Sequence, residues 1–161
     1  MEEALKAYDE VLAADPTHTN AWRARGAAMQ LLRSDEAVLS HFRSALDRAP
    51  NDLDSLVRLG VMLQRRGAYR EAEAPLRRAL KLDPNDKYAL LALGVTLHAQ
   101  GQPREALTQY SAALRADPAL KDAHFHAGVA QLESGDPKAA LRHFRGALEL
   151  DPAWAEAAVN A

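Results

Sequence analysis

Five prolines, Pro16, Pro50, Pro84, Pro118 and Pro152, stand thirty-four residues apart along the chain. Proline removes a backbone donor and fixes φ, so a proline that recurs at one interval makes the backbone break its helices at that interval. Four of the five follow aspartate, in LAADP, KLDP, RADP and ELDP, and DRAP is the variant. Four further columns keep the same step: Gly26, Gly60, Gly94 and Gly128; Val38, Ala72, Ala106 and Ala140; Tyr8, Phe42, Leu76, Tyr110 and Phe144; and Ala45, Ala79, Ala113 and Ala147. Columns in register at one fixed period are the mark of a tandem repeat.

The residues between the prolines favour helices. Ala and Leu carry most of the apolar content, Ile is absent and aromatics are few, which leaves little strand-forming capacity. The spacing predicts first helices over 20–32, 54–66, 88–100 and 122–134, and second helices over 35–48, 69–82, 103–116 and 137–150. Gly67, Gly101 and Gly135 stand where a left-handed residue ends a first helix. Pro103 and Pro137 then open the second, where a missing N–H costs nothing, and Asp136 before Pro137 is a favourable N-cap. Ser34 takes that place in SDEA. Arg33 replaces glycine at the same turn, and Pro75 stands inside YREAEAPLRRAL, predicting a local bend without a break.

In this pattern the chain resembles the tetratricopeptide repeat family, whose copies read W-x2-L-G-x2-Y, then A-x3-F, then P. The copy LLALGVTLHAQGQPREALTQYSAALRADP places Leu90, Leu93, Gly94, Leu97, Ala106, Tyr110, Ala113 and Pro118 in the motif columns. The resemblance implies an all-α fold, a right-handed α-solenoid of antiparallel helix pairs. It would form one domain over 1–161, with full copies at 19–52, 53–86, 87–120 and 121–154. Residues 1–16 read as the second helix of a further copy and 155–161 as the start of another first helix. The Gly and Ala columns are expected to be the close-contact points between paired helices, with Leu56, Leu59, Leu63 and Leu76 filling the space around them.

Function has to come from positions that the repeat does not use. In this family the first helices of successive copies line a concave groove that holds a peptide or a partner helix, so the resemblance implies one here. Its expected lining is Asn20, Arg23, Ala24 and Ala27 in the first full copy, then Asp54, Val57, Arg58, Val61 and Arg65. Tyr88, Leu91, Val95 and His98 follow in the third, and Asp122, Phe125, His126, Val129 and Leu132 in the fourth. A two-carboxylate clamp known in the family would fall on Arg23, Ala27, Arg58, Tyr88 and Ala92, where only the charges of Arg23 and Arg58 match. An asparagine ladder, as in O-linked N-acetylglucosamine transferases of the family, would fall on Ala24, Arg58, Ala92 and His126, with Asn160 the lone match. What remains is an apolar floor of Val57, Val61, Leu91, Val95, Phe125 and Val129, flanked by Arg58, Arg65, His98 and His126. Exposed together, these side chains would mark a binding site for a protein or peptide with apolar anchors and some acidic residues. Packed under their neighbours, they would be additional core.

Other functions find little support. The net charge of −2 comes from 20 basic and 22 acidic residues that are interleaved, so no nucleic-acid face is expected. Without cysteine there is neither a thiolate nucleophile nor a Cys-based zinc site. HFH at 124–126 puts His124 and His126 on different helix faces, and His98 with His126 lacks a third ligand, so no metal is expected. Trp22 and Trp154 read as packing residues. No residues assemble a nucleophile, base and oxyanion donor, which implies no catalytic residues, no cofactor and no enzyme activity.

MEEALKAYDE carries acid where a signal peptide has a basic start, and no stretch reaches the ~20 apolar residues of a membrane span. A cytoplasmic protein interaction scaffold is the default expectation, and the absence of Ile beside abundant Ala, Arg and Gly suggests a bacterial, GC-rich genome. The alternatives are a substrate- or partner-recruiting region of a larger multidomain protein, such as a glycosyltransferase or a secretion or pilus component, and a head-to-tail homo-oligomer. AWAEAAVNA would leave Ala158 and Ala161 in core columns, so both ends read as uncapped.

Overall fold

A computed structural model describes residues 2–31 and 35–152. Every regular element among them is a helix: α1 (Glu2–Ala14), α2 (Thr19–Leu31), α3 (Asp35–Arg48), α4 (Leu53–Arg65), α5 (Tyr69–Leu82), α6 (Lys87–Ala99), α7 (Pro103–Ala116), α8 (Lys121–Glu133) and α9 (Pro137–Leu150). The second helices α3, α5, α7 and α9 have the expected bounds. The first helices α4, α6 and α8 begin and end one residue earlier than expected. Leu120 before α8 makes no side-chain cap bond, whereas Asp52 and Asp86 cap α4 and α6 one position sooner. Their carboxylates accept from the N–H of Ser55 and Ala89 respectively. The chain divides into two compact units, 1–82 and 83–161, and within each the helices pack in sequence order. In unit 2, α6 also touches α8.

The turns show why the helices end where they do. Gly67, Gly101 and Gly135 adopt φ of 73°, 77° and 82°, the left-handed region that side chains with a Cβ resist. Each closes its helix with the same pair of bonds. Around Gly101, its own N–H donates to the His98 carbonyl at 2.9 Å and that of Gln102 donates to the Leu97 carbonyl at 3.0 Å, satisfying carbonyls that the helix end would orphan. Gly101→Ala is therefore expected to destabilise the protein by ~1 kcal/mol through backbone strain alone, read as a lower urea midpoint at unchanged m-value. Pro103 and Pro137 occupy the first turns of α7 and α9, and Asp136 accepts from the Ala139 N–H at 2.9 Å. Gln102 makes no such bond. Pro75 lies within an unbroken α5. Arg33, Ser34, Trp154, Ala158, Asn160 and Ala161 lie outside the described residues.

Each helix pair is joined at its glycine. A Cβ added at Gly60 would fall 2.5 Å from Leu76, and one added at Gly128 would fall 2.6 Å from Phe144. Gly94 faces Tyr110 in the same way, and Gly26 faces both His41 and Phe42. The large residue of the second helix thus rests on the bare backbone of the first, and Phe42, Leu76 and Tyr110 are completely buried there. The alanine columns are buried in all four copies, as are Leu56, Leu59, Leu63 and Leu76. Burial of each such leucine side chain contributes ~1.5–3 kcal/mol.

Ion pairs close two of the copies. Lys87 at the start of α6 reaches Asp117 after α7 at 2.6 Å, and Lys121 at the start of α8 reaches Asp151 after α9 at 2.8 Å. The other copies have Thr19 and Leu53 at the lysine position. A second recurring bond ties a first helix to the preceding turn. Trp22 Nε1–H donates to the Pro16 carbonyl at 2.8 Å, and His124 Nε2 stands 3.1 Å from the Pro118 carbonyl. That bond makes Nε2 the protonated nitrogen of His124 and leaves a buried Nδ1 with no partner among the described residues.

Candidate functional site

The side chains that face away from the glycine joints lie on the first helices. In unit 2 they come from α6 and α8. Leu91, Val95, Phe125 and Val129 are half-buried, while Tyr88 and Leu132 are exposed to 56% and 54%. Residues one or two positions away in the same helices, Ala89, Leu90, Ala92 and Leu93 in α6 and Ala123 and Ala127 in α8, are buried. The helical period separates the two sets: one packs toward the second helices and the other remains accessible.

Polar groups edge this apolar face. His98 Nε2 lies 2.6 Å from Glu133 Oε2, linking the ends of α6 and α8. The His126 ring stacks on that of Tyr110 at 5.8 Å and meets Phe125 edge-on at 5.4 Å. Burial lowers the His126 pKa, with Asp122 opposing and His98 adding to the shift, so the ring is neutral near pH 7. Burial raises the Tyr110 pKa, and Glu133 raises it further. The Tyr110 hydroxyl is buried with no partner among the described residues. At Tyr88, Lys87 Nζ sits 5.1 Å from the ring centroid while bonded to Asp117.

Unit 1 presents a different surface. Val57 is half-buried, while Ala27, Val61 and Arg65 are exposed. Arg23 pairs with Asp52 at 2.7 Å and Arg58 with Asp54 at 2.7 Å. Burial pushes the Asp52 carboxyl up, but bonds from Ser55 and Arg23 overcome it and hold the group below the usual range. The two charges that match the carboxylate-clamp pattern are thus already compensated within the chain. Arg65 has no ion pair among the described residues. Ala92 is buried, which removes it from either of the two gripping patterns.

None of the eighteen expected lining residues is fully buried; within the apolar floor Val61 is exposed, and Val57, Leu91, Val95, Phe125 and Val129 are half-buried against their neighbours. HFH divides as its spacing requires, with His126 against Tyr110 and His124 against His143. Sequence reasoning missed Glu133. It stands one position after the repeat equivalent of His98, and a histidine in one first helix with a carboxylate one turn-step along in the next is the signal that would have found it. No cluster of three metal-ligating side chains occurs among the described residues, and no described helix is long and apolar enough to cross a membrane.

Comparison with known proteins agrees with this geometry. No curated protein sequence matches the chain significantly. Among solved structures, YrrB, described as a tetratricopeptide repeat protein with an unusual peptide-binding site, is 28% identical; the match covers 94% of this chain and 78% of that one with a TM-score of 0.78. A MamA crystal structure is 21% identical, covering 94% of this chain and 89% of that one, with a TM-score of 0.81. MamA residues 41 to the end from Desulfovibrio magneticus RS-1 is 24% identical, covering 94% and 86%, with a TM-score of 0.83. One tetratricopeptide repeat model matches residues 2–53 and 91–155, and a second matches 53–82. The thirty-four-residue step, the glycine joints and these matches have one meaning: the chain belongs to the tetratricopeptide repeat family.

Proposed function

We propose that the protein is an interaction scaffold that holds a peptide or helix against its first-helix faces, with the α6–α8 face of unit 2 supplying the apolar anchors. The observation that carries this reading is the partial exposure of Leu91, Val95, Phe125 and Val129 beside the exposed Tyr88 and Leu132. An apolar surface of this kind, edged by His98, Glu133 and His126, suits a segment with aliphatic or aromatic side chains at alternate or helical spacing. The peptide-binding site described for YrrB supports the same class of partner. Taken by itself, the first-helix surface of unit 1 offers an acidic segment Arg65, which has no ion pair among the described residues. Arg23 and Arg58 contribute less, because each already holds a carboxylate.

Val95→Glu tests the reading. A carboxylate at the centre of the face would have to be desolvated on binding, which is expected to weaken peptides selected on the wild-type protein by ~30-fold or more. Far-UV circular dichroism of the variant should be unchanged, since Val95 is not part of the buried core. Undiminished binding by a folded variant would move the site off this face.

A further inference from the structure

An open hollow in unit 1, away from the first-helix face, is bounded by α1, α2 and α3 and has a volume of about 460 Å³, within the ~300–1,000 Å³ range of small-molecule sites. It arises because Arg25 stands in the column that Leu59 and Leu93 occupy in later copies. A leucine there would fill the core, whereas a guanidinium needs polar company. Arg25 Nε bonds Asp9 of α1 at 2.5 Å, and its Nη1 lies 3.0 Å from Nδ1 of His41 in α3. His41 is 3% exposed, and its Nε2 stands 2.5 Å from the Trp22 carbonyl. Held between a cation and a carbonyl, the ring accepts at Nδ1, donates at Nε2 and carries no charge.

Charge in the hollow is unbalanced. Arg48 lies 4.6 Å above the Trp22 ring, and its Nη1 donates to the Ser44 carbonyl at 2.9 Å. No carboxylate pairs with it among the described residues. Two guanidinium groups therefore face the single carboxylate of Asp9. Arg25 Nη2 and the hydroxyls of Ser40 and Ser44, one helical turn apart on α3, have no partner among the described residues either. The rest of the lining includes Met29, Leu12 and the Trp22 indole, which offer apolar contact beside the polar groups.

We propose that this hollow binds a small organic anion, a carboxylate carried on an aromatic or aliphatic stem. Arg48 and the α3 hydroxyls receive the carboxylate, with Arg25 Nη2 as a further donor, and the stem lies against Trp22 and Met29. Charge-assisted bonds to a guanidinium supply the orientation, and the apolar wall selects an organic acid over an inorganic ion.

Phenylacetate titrated into the full chain, followed by amide and indole N–H chemical shifts, tests the site. Saturable shifts at Trp22, Ser40, His41 and Ser44 with a Kd on the order of 1 mM or tighter are expected. Phenylacetamide, which keeps the stem without the charge, and inorganic phosphate, which keeps charge without the stem, should each bind at least tenfold more weakly. Arg48→Ala should weaken phenylacetate at least tenfold. Arg43→Ala, on the same helix but pairing with Glu71, should leave it unchanged. Absence of saturation, equal binding of either control ligand, or an unaffected Arg48→Ala variant overturns the proposal.

Discussion

A single methyl group added at Gly94 is expected to destabilise the protein by about 3 kcal/mol, lowering Tm by ~6–12 °C. A Cβ there would fall 2.6 Å from Tyr110 Cδ1 and 3.1 Å from its Cζ, and carbon atoms in close-packed interiors do not approach so near. The ring cannot swing aside, because Tyr110 is fully buried and His126 is stacked against it. Relief would require α6 and α7 to separate along their joint. Gly67→Ala provides the contrast, since nothing lies within 4 Å of its added Cβ and only the left-handed φ of 73° opposes it. Thermal melts of Gly94→Ala, Tyr110→Ala and the double variant separate packing from propensity. With the ring removed the extra methyl fits the vacated space, so the double variant should be more stable than the sum of the single losses by over ~1 kcal/mol. Strict additivity would mean that Gly94 does not serve as the seat of the tyrosine.

Acid should begin to weaken unit 1 below pH ~6.5, above the range in which carboxylates titrate. Burial, opposed by the bond to the Trp22 carbonyl and reinforced by Arg25, lowers the His41 pKa to about 4; the charge of Asp9 acts weakly in the opposite direction. In the unfolded chain the group titrates near the ordinary 6.5. A histidine with a depressed folded pKa favours the folded state while neutral, so its contribution is complete above pH ~6.5. It is lost as pH falls toward 4, on the order of 3 kcal/mol in all. Asp52, held below the carboxylate range, adds its loss only at still lower pH. The His41 ring resonance should accordingly stay in its neutral position from pH 7 to about 5. Urea midpoints should decline over the same interval, and the decline should be shallower in His41→Gln. A His41 resonance that titrates near 6.5 would show that the ring is not held between Arg25 and Trp22.

The helices and their joints were legible because each depends on residues close in sequence or on a period. Gly101 ends α6 with bonds that span five residues at most, and the thirty-four-residue step carries that reasoning to every copy. The first-helix face was legible only in part: the period assigns the buried columns, but whether Val95 and Val129 stay accessible or pack under neighbouring helices depends on how those helices stack. Polar contacts between helices were not legible. Arg25 with His41, His98 with Glu133 and Lys87 with Asp117 pair residues sixteen to thirty-five apart in sequence, and such a pair forms only when two helices stack in a particular register. Arg25 shows the limit well. A charged residue in a leucine column announces a departure from the repeat, but its partners Asp9 and His41 come from two other helices.

Binding of partners along the first helices of unit 2 can be read by mapping a peptide selected from a random library onto the amide spectrum of the protein. Shifts concentrated at Leu91, Val95, Phe125, Val129 and Leu132 in α6 and α8 are the expected result. Shifts concentrated on the second helices α7 and α9, with α6 and α8 unmoved, would contradict it.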